Sequence, residues 1–256
     1  MNINNFFNID ERLMQLDEKI LAEISPRFKE TDDITEYNQL KMLSAFIKNG
    51  VTESAFAGST GYGYDDRGRE ILERVMADAM GAEDSLIRHN FVSGTHTLTV
   101  ALFGLLRPGD KVLVLTGRPY DTITGVFGID EKTDGSLADF GVEYHEIALL
   151  PDGTPDKAAI KKELAANAYK MAYIQRSRGY STRPSLTIEK IRELCDIVRE
   201  TSPKSIIMVD NCYGEFTEKQ EPCEVGADII AGSLIKNPGG GIAPTGGYIA
   251  GRHELI

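Results

Sequence analysis

The 256-residue chain has no tryptophan, three cysteines and four histidines. Cys195, Cys212 and Cys223 are odd in number and lack C-x-x-C spacing, which excludes a disulfide framework and a zinc site and leaves ordinary thiols. His89, His96, His145 and His253 form neither an H-x-x-x-H nor an H-x-H pair, so no metal is expected. Cations are scarce as well: 28 Lys and Arg stand against 39 Asp and Glu, a net charge of −11 with no basic block. Such a chain repels a polyanion, which excludes a nucleic-acid partner. No apolar run approaches the roughly 20 residues of a membrane span. The segment Met1 to Asp10 is asparagine-rich and has no cationic flank or apolar signal core. A cytoplasmic chain with no membrane partner is expected. What is present is ordinary globular material, 41% hydrophobic and 26% charged, long enough to bury a sizeable core.

The first 50 residues read as a helical arm. Ile9, Leu13, Leu16, Ile20 and Ile24 recur every three or four positions until Pro26, where the pattern is expected to break. A second helix is predicted from about Tyr37 to Lys48, stopped by Asn49-Gly50. From residue 51 to 256 the texture alternates. Strands are predicted at Ser85–Ile87, Lys111–Leu115, Val142–Ile147, Met171–Ile174, Ile206–Val209, Ile229–Ala231 and Tyr248–Ala250, and helices at Arg69–Met80, Thr95–Leu106, Pro155–Ala166 and Ile188–Glu200. Apolar strands alternating with amphipathic helices give an α/β domain with a mainly parallel seven-stranded sheet flanked by helices. Thr154-Pro155 and Thr187 with Glu189 are the expected helix starts. The chain stops at His253-Glu254-Leu255-Ile256, where another helix would begin, as though cut.

In an open α/β sheet ligands bind at the carboxyl ends of the strands. After the first predicted strand comes Ser93-Gly94-Thr95, a turn opening a helix whose free N–H groups suit an anion, although such a turn is often only a cap. After the second comes Tyr120, which can offer a ring face to a flat cofactor or simply lie half-buried. Asp210 follows four apolar residues, where a carboxylate needs a cation such as a protonated heteroaromatic nitrogen unless it merely caps. Lys236 has apolar neighbours before it and Gly239-Gly240-Gly241 after it, the setting of a desolvated nucleophilic lysine or of a surface lysine before a turn. Arg176, Arg178 and Arg183 are expected on the same rim, where arginines bind carboxylate or phosphate bidentately or, on so acidic a chain, pair with its own acids. The stretch Gly58 to Glu70 has the composition of a phosphate loop but neither G-x-x-x-x-G-K-[ST] nor a strand before it, which disfavours a nucleotide-dependent oxidoreductase. An anion-binding helix start, an aromatic, a strand-end Asp and a glycine-flanked Lys together fit one ligand, pyridoxal 5'-phosphate.

The stretches Gly61–Glu70 (GYGYDDRGRE), Val92–His96 (VSGTH), Ile174–Leu186 (IQRSRGYSTRPSL), Val209–Phe216 (VDNCYGEF) and Gly232–Gly247 (GSLIKNPGGGIAPTGG) resemble the aluminium-resistance or methionine gamma-lyase-like family. This family belongs to the Cys/Met-metabolism group of fold-type I pyridoxal-phosphate enzymes. The resemblance implies a PLP-binding large domain at 51–256, a C-terminal small domain absent from this chain, and a homodimer or homotetramer with interfacial active sites. It implies Lys236 as the residue bonded to the cofactor, Asp210 on the pyridinium nitrogen and Tyr120 stacked on the ring. Phosphate contacts are implied for Ser93, Gly94, Thr95 and Ser233. Tyr62, Tyr64 and Arg67 match, with shifted spacing, a Tyr-x-Arg pair that a neighbouring subunit contributes. Related enzymes often carry Thr directly before the lysine, where this chain has Ile235. The implied activity is a lyase on small sulfur-containing amino acids, by β- or γ-elimination as in methionine gamma-lyase or cystathionine lyase. The alternative is a catalytically silent chain that keeps the fold and serves as a binding or interaction subunit.

Overall fold

The computed structural model describes residues 6–62, 66–130 and 133–256. Helix α1 (Glu11–Lys48) is capped by Asp10, whose carboxylate accepts the Arg12 N–H at 2.9 Å. It runs unbroken through Pro26, which corrects the two-helix expectation. Proline removes one backbone donor, and every residue around Pro26 is exposed, so no packing opposes propagation of the helix across that gap. Among the described residues the carboxyl-terminal half is the part that is anchored: Ala45 and Met42 pack on α2 (Arg67–Met80).

The strands are β1 (Asp84–Arg88), β2 (Lys111–Val114), β3 (Glu143–Glu146), β4 (Met171–Gln175), β5 (Ile206–Asp210), β6 (Ile229–Ser233) and β7 (Gly247–Gly251). They form one sheet in the order β1-β7-β6-β5-β4-β2-β3. Pairs β2–β3, β2–β4, β4–β5 and β5–β6 are parallel, whereas β7 is antiparallel to both β6 and β1. Only β7 therefore runs against the rest, and six carboxyl ends share one edge. Helices α3 (Gly94–Leu105), α4 (Asp121–Phe127), α5 (Lys157–Ala166) and α6 (Ile188–Thr201) complete the layers. Alternation along the strands splits the core. Ala172 and Ile174 of β4 join Ile160 of α5 and Leu194 of α6, while Met171 and Tyr173 face Leu102 of α3 and Phe127 of α4. Each fully buried leucine in these clusters contributes about 1.5–3 kcal/mol. This is the α/β fold read from the sequence, with helices on both faces.

Helix α5 begins two residues later than predicted. Asp156 accepts the Ala159 N–H at 2.9 Å, while Thr154 spends its hydroxyl on Asp152 at 2.6 Å, so the carboxylate is the cap. Thr187 does cap α6 as expected, accepting the Lys190 N–H at 3.3 Å. No helix among the described residues is long and apolar enough to cross a membrane.

Candidate active site

At the shared carboxyl edge the chain leaves β2 toward β3 and leaves β4 in the opposite direction, toward β5. Divergent loops of this kind open a crevice. A cleft of about 450 Å³ lies here, a size that suits a cofactor.

One wall is the start of α3. Ser93 caps it, accepting the His96 N–H at 3.1 Å. The N–H groups of Gly94 and Thr95 have no acceptor among the described residues and open on the cleft. They are free anion donors at a helix dipole's positive end. A Cβ on Gly94 would come within 3.3 Å of both Cys212 Sγ and Ser233 Cβ, so a larger residue would crowd the floor. Ser233 itself is buried behind Gly94, and its Oγ accepts the Ile235 N–H at 3.3 Å. It is not part of the cleft lining.

The opposite wall is aromatic. Tyr120 stands at the start of α4, held by a 2.6 Å hydrogen bond from its N–H to Gln175 Oε1. Its ring lies 5.5 Å from that of Tyr180, whose hydroxyl hydrogen-bonds it and is the main cause pushing its phenol up to about 12. Tyr120 is thus a neutral phenol at ordinary pH. Gly179, at φ +59°, lets the β4–α6 loop press on this ring; a Cβ there would sit 3.2 Å from Tyr120 Cδ2.

The floor carries the charge. Asp210 ends β5 and is 4% exposed. It accepts the Cys212 N–H at 3.1 Å and the Tyr173 hydroxyl at 3.5 Å, and no described cation forms an ion pair with it. Burial raises its carboxyl above the usual range, with the Arg183 guanidinium only partly opposing. Lys236 follows β6 and is half-buried. The apolar residue before it does not cover it, because Ile235 turns outward at 44% exposure. The Lys236 Nζ instead meets the Tyr213 hydroxyl, and lies 4.3 Å from the centre of the Tyr213 ring.

Sequence reasoning placed Asp210, Lys236, Tyr120, Ser93, Gly94 and Thr95 at strand ends, and the fold brings all six into this one cleft. The arginines do not behave as a rim cluster. Arg176 is buried on Glu218 (2.9 Å) and Glu221 (3.5 Å), and Arg183 donates to the carbonyls of Gln175, Ser177 and Pro184. Both clamp loops, and only Arg178 reaches the cleft. Arg67 and Tyr62 are exposed and do not line it, and Tyr64 lies outside the described residues. Tyr213, Gln175 and Cys212 belong to the site without having been singled out. For Gln175, a polar residue closing an otherwise apolar strand was the available signal.

This constellation fits pyridoxal phosphate: a buried carboxylate with no ion-pair partner among the described residues, free helix-end donors, an aromatic wall and a lysine amine share one cavity. The methionine gamma-lyase family model matches residues 13–256. The uncharacterized protein YnbB of Bacillus subtilis (strain 168) is 46% identical over 239 residues, which cover 93% of this chain and 56% of that protein. A carbon–sulfur lyase involved in aluminum resistance from Clostridium novyi NT has a crystal structure that matches with a TM-score of 0.93 at 46% identity, covering 99% of this chain and 60% of that one. The pyridoxal-5'-phosphate dependent protein YhfS of Escherichia coli, at 18% identity and a TM-score of 0.66 over 87% of this chain and 56% of its own, shares the fold. The chain spans a little over half the length of these relatives. With a family match that runs over almost all of its residues, the chain belongs to the methionine gamma-lyase family.

Proposed function

We propose that residues 51–256 form the cofactor-binding domain of a pyridoxal-phosphate-dependent lyase for sulfur-containing amino acids, cleaving a carbon–sulfur bond by β- or γ-elimination. The observation that carries the reading is Asp210, a buried carboxylate with no ion-pair partner among the described residues, facing the same cleft as the Lys236 amine. When bound, pyridoxal phosphate supplies an electron sink for the charge left on a substrate carbon that loses a proton. Asp210 would hold the proton on the ring nitrogen and thereby gain the cation its burial demands. The Gly94 and Thr95 N–H groups would take the phosphate, while Ser233, buried behind them, would stay outside the cleft, and Tyr120 would orient the ring by stacking. Lys236 would hold the cofactor through Nζ and, with its amine free, would take up a substrate's α-proton at that atom. The name of the Clostridium novyi relative and that of the family support carbon–sulfur chemistry.

The proposed partner is a second copy of the chain, in a homodimer or a homotetramer with active sites at the interface. Leu13, Leu16, Ile20 and Ile24 form an exposed apolar stripe on α1 at 60%, 51%, 44% and 37% exposure, which a second copy would cover. Tyr62, Tyr64 and Arg67 would then serve the neighbour's phosphate.

The test is borohydride reduction of the chain mixed with pyridoxal phosphate, followed by peptide mass spectrometry. The expected result is a pyridoxyl group on Lys236 that Lys236→Ala abolishes; the same adduct on another lysine refutes the assignment. Thiol release from methionine or cystathionine then separates a working lyase from a silent binding subunit.

A further inference from the structure

The loop between β5 and β6 holds Tyr213 in a way that core packing does not explain. Among the described residues, Tyr213 and Phe216 are the two non-glycine positions with positive φ, at +67° and +60°. Left-handed backbone is unfavourable for a bulky side chain and persists only where the surroundings over-determine it. Here they do. The Gly214 N–H donates to the Asn211 carbonyl at 2.8 Å, and Asn237 Nδ2 donates to the carbonyls of Tyr213 at 3.2 Å and Glu215 at 2.9 Å. Asn237 directly follows Lys236, so the segment that carries the lysine also locks the turn that carries the tyrosine. This strain wins no burial, because Tyr213 is 57% exposed. What it does secure is contact with Nζ, through both the hydroxyl and the ring face.

We propose that Tyr213 is a positioning residue that seats the Lys236 amine in the cleft whenever that amine is not covalently engaged; this rests on the cofactor reading of Lys236 above. A phenol suits the task. Its oxygen accepts from an ammonium and its O–H donates to a neutral amine, so the contact survives either protonation state. The ring face adds attraction for the charged form. A lysine side chain otherwise spreads over many rotamers. Seating it confines Nζ to the cleft and prepares its capture of an aldehyde.

The test uses the 256-residue chain and pyridoxal phosphate as the probe. The rate of borohydride-fixed modification at Lys236 is followed by peptide mass spectrometry for the unsubstituted chain, Tyr213→Phe and Tyr213→Gly. The Kd of 4-deoxypyridoxine 5'-phosphate, which has no aldehyde, is measured beside it. Tyr213→Phe keeps the ring and is expected to slow capture about three- to tenfold, the worth of one hydrogen bond. Tyr213→Gly is expected to be slower still, with a melting temperature at or above that of the parent, since glycine takes this φ without strain. Analogue binding is expected to stay unchanged in both. Equal capture rates in all three chains, or slowing matched by an equal loss of analogue affinity, overturns the proposal. No capture at Lys236 in the unsubstituted chain overturns the cofactor reading and the proposal with it, whereas a failed Tyr213 series on a chain that captures normally leaves that reading standing.

Discussion

Beneath the cleft, Glu215 is completely buried. Its Oε1 accepts the Tyr248 hydroxyl at 3.0 Å, and Oε2 is buried with no partner among the described residues. The Arg176 guanidinium, the cation of this network, is engaged by Glu218 and Glu221 and donates to Asn211. Burial, with the neighbouring charges of Glu221 and Asp210 adding to it, pushes the Glu215 carboxyl up to about 8 from 4.5. The folded chain therefore keeps a proton that the unfolded chain releases above pH 4.5. Stability from this group is fully present below that pH and is lost as pH rises to about 8. At about 1.4 kcal/mol per pH unit, the full loss is on the order of 5 kcal/mol, a large part of a typical domain's stability. Glu215→Gln keeps the shape and cannot ionise. The measurement is urea denaturation of parent and variant from pH 5 to 9. The variant is expected to gain on the parent steadily up to about pH 8, after which the gap levels off. Parallel stability curves would refute the picture of a neutral carboxyl under the site.

Asp210→Asn removes a carboxyl that burial raises above its usual range, so the cofactor-free variant is expected to exceed the parent in stability at pH 8, where the parent's buried carboxyl is driven to ionise. With pyridoxal phosphate present the order is expected to reverse, because the parent alone gains a cation partner; a variant weaker in both conditions would refute the role. On α1, Ile20→Glu puts a charge into the exposed apolar stripe and is expected to shift sedimentation toward the monomer while leaving far-ultraviolet circular dichroism intact. An unchanged assembly would mean that the stripe faces something other than a second copy.

The fold was legible where local signals agree with the sheet. Strand β4, MAYIQ, is buried on both faces, and its unbroken apolar run is enough to say so. The reversed direction of β7 is not written in YIA, because pairing direction depends on the path of the chain between β6 and β7 rather than on the strand residues. Pro26 misleads for a related reason. Its helix-breaking signal is local, whereas the continuity of α1 comes from good helix formers on both sides of a fully exposed site.

At the site, the residues that could be read are those that stand alone at a strand end: a charge after apolar residues, as in Asp210, or small residues before a helix, as in Ser93 to Thr95. What escaped depends on partners far along the chain. Arg176 and Arg178 are two positions apart, yet one is buried on Glu221, 45 residues on, and the other is exposed at the cleft. Nothing in their own segment separates them. Tyr213 escaped because its left-handed backbone is imposed by Asn237 across the loop rather than announced by a glycine at that position. Glu215 escaped because its charge state is set by burial against Tyr248 and Gly232, where even a Cβ would sit 2.5 Å from Oε1. Much of the chemistry at the face of this cleft is therefore carried by residues whose type suffices to reveal them, with Tyr213 the exception. The support beneath it is carried by residues whose type is common and whose surroundings alone make them unusual, and such residues become visible only once the chain is folded.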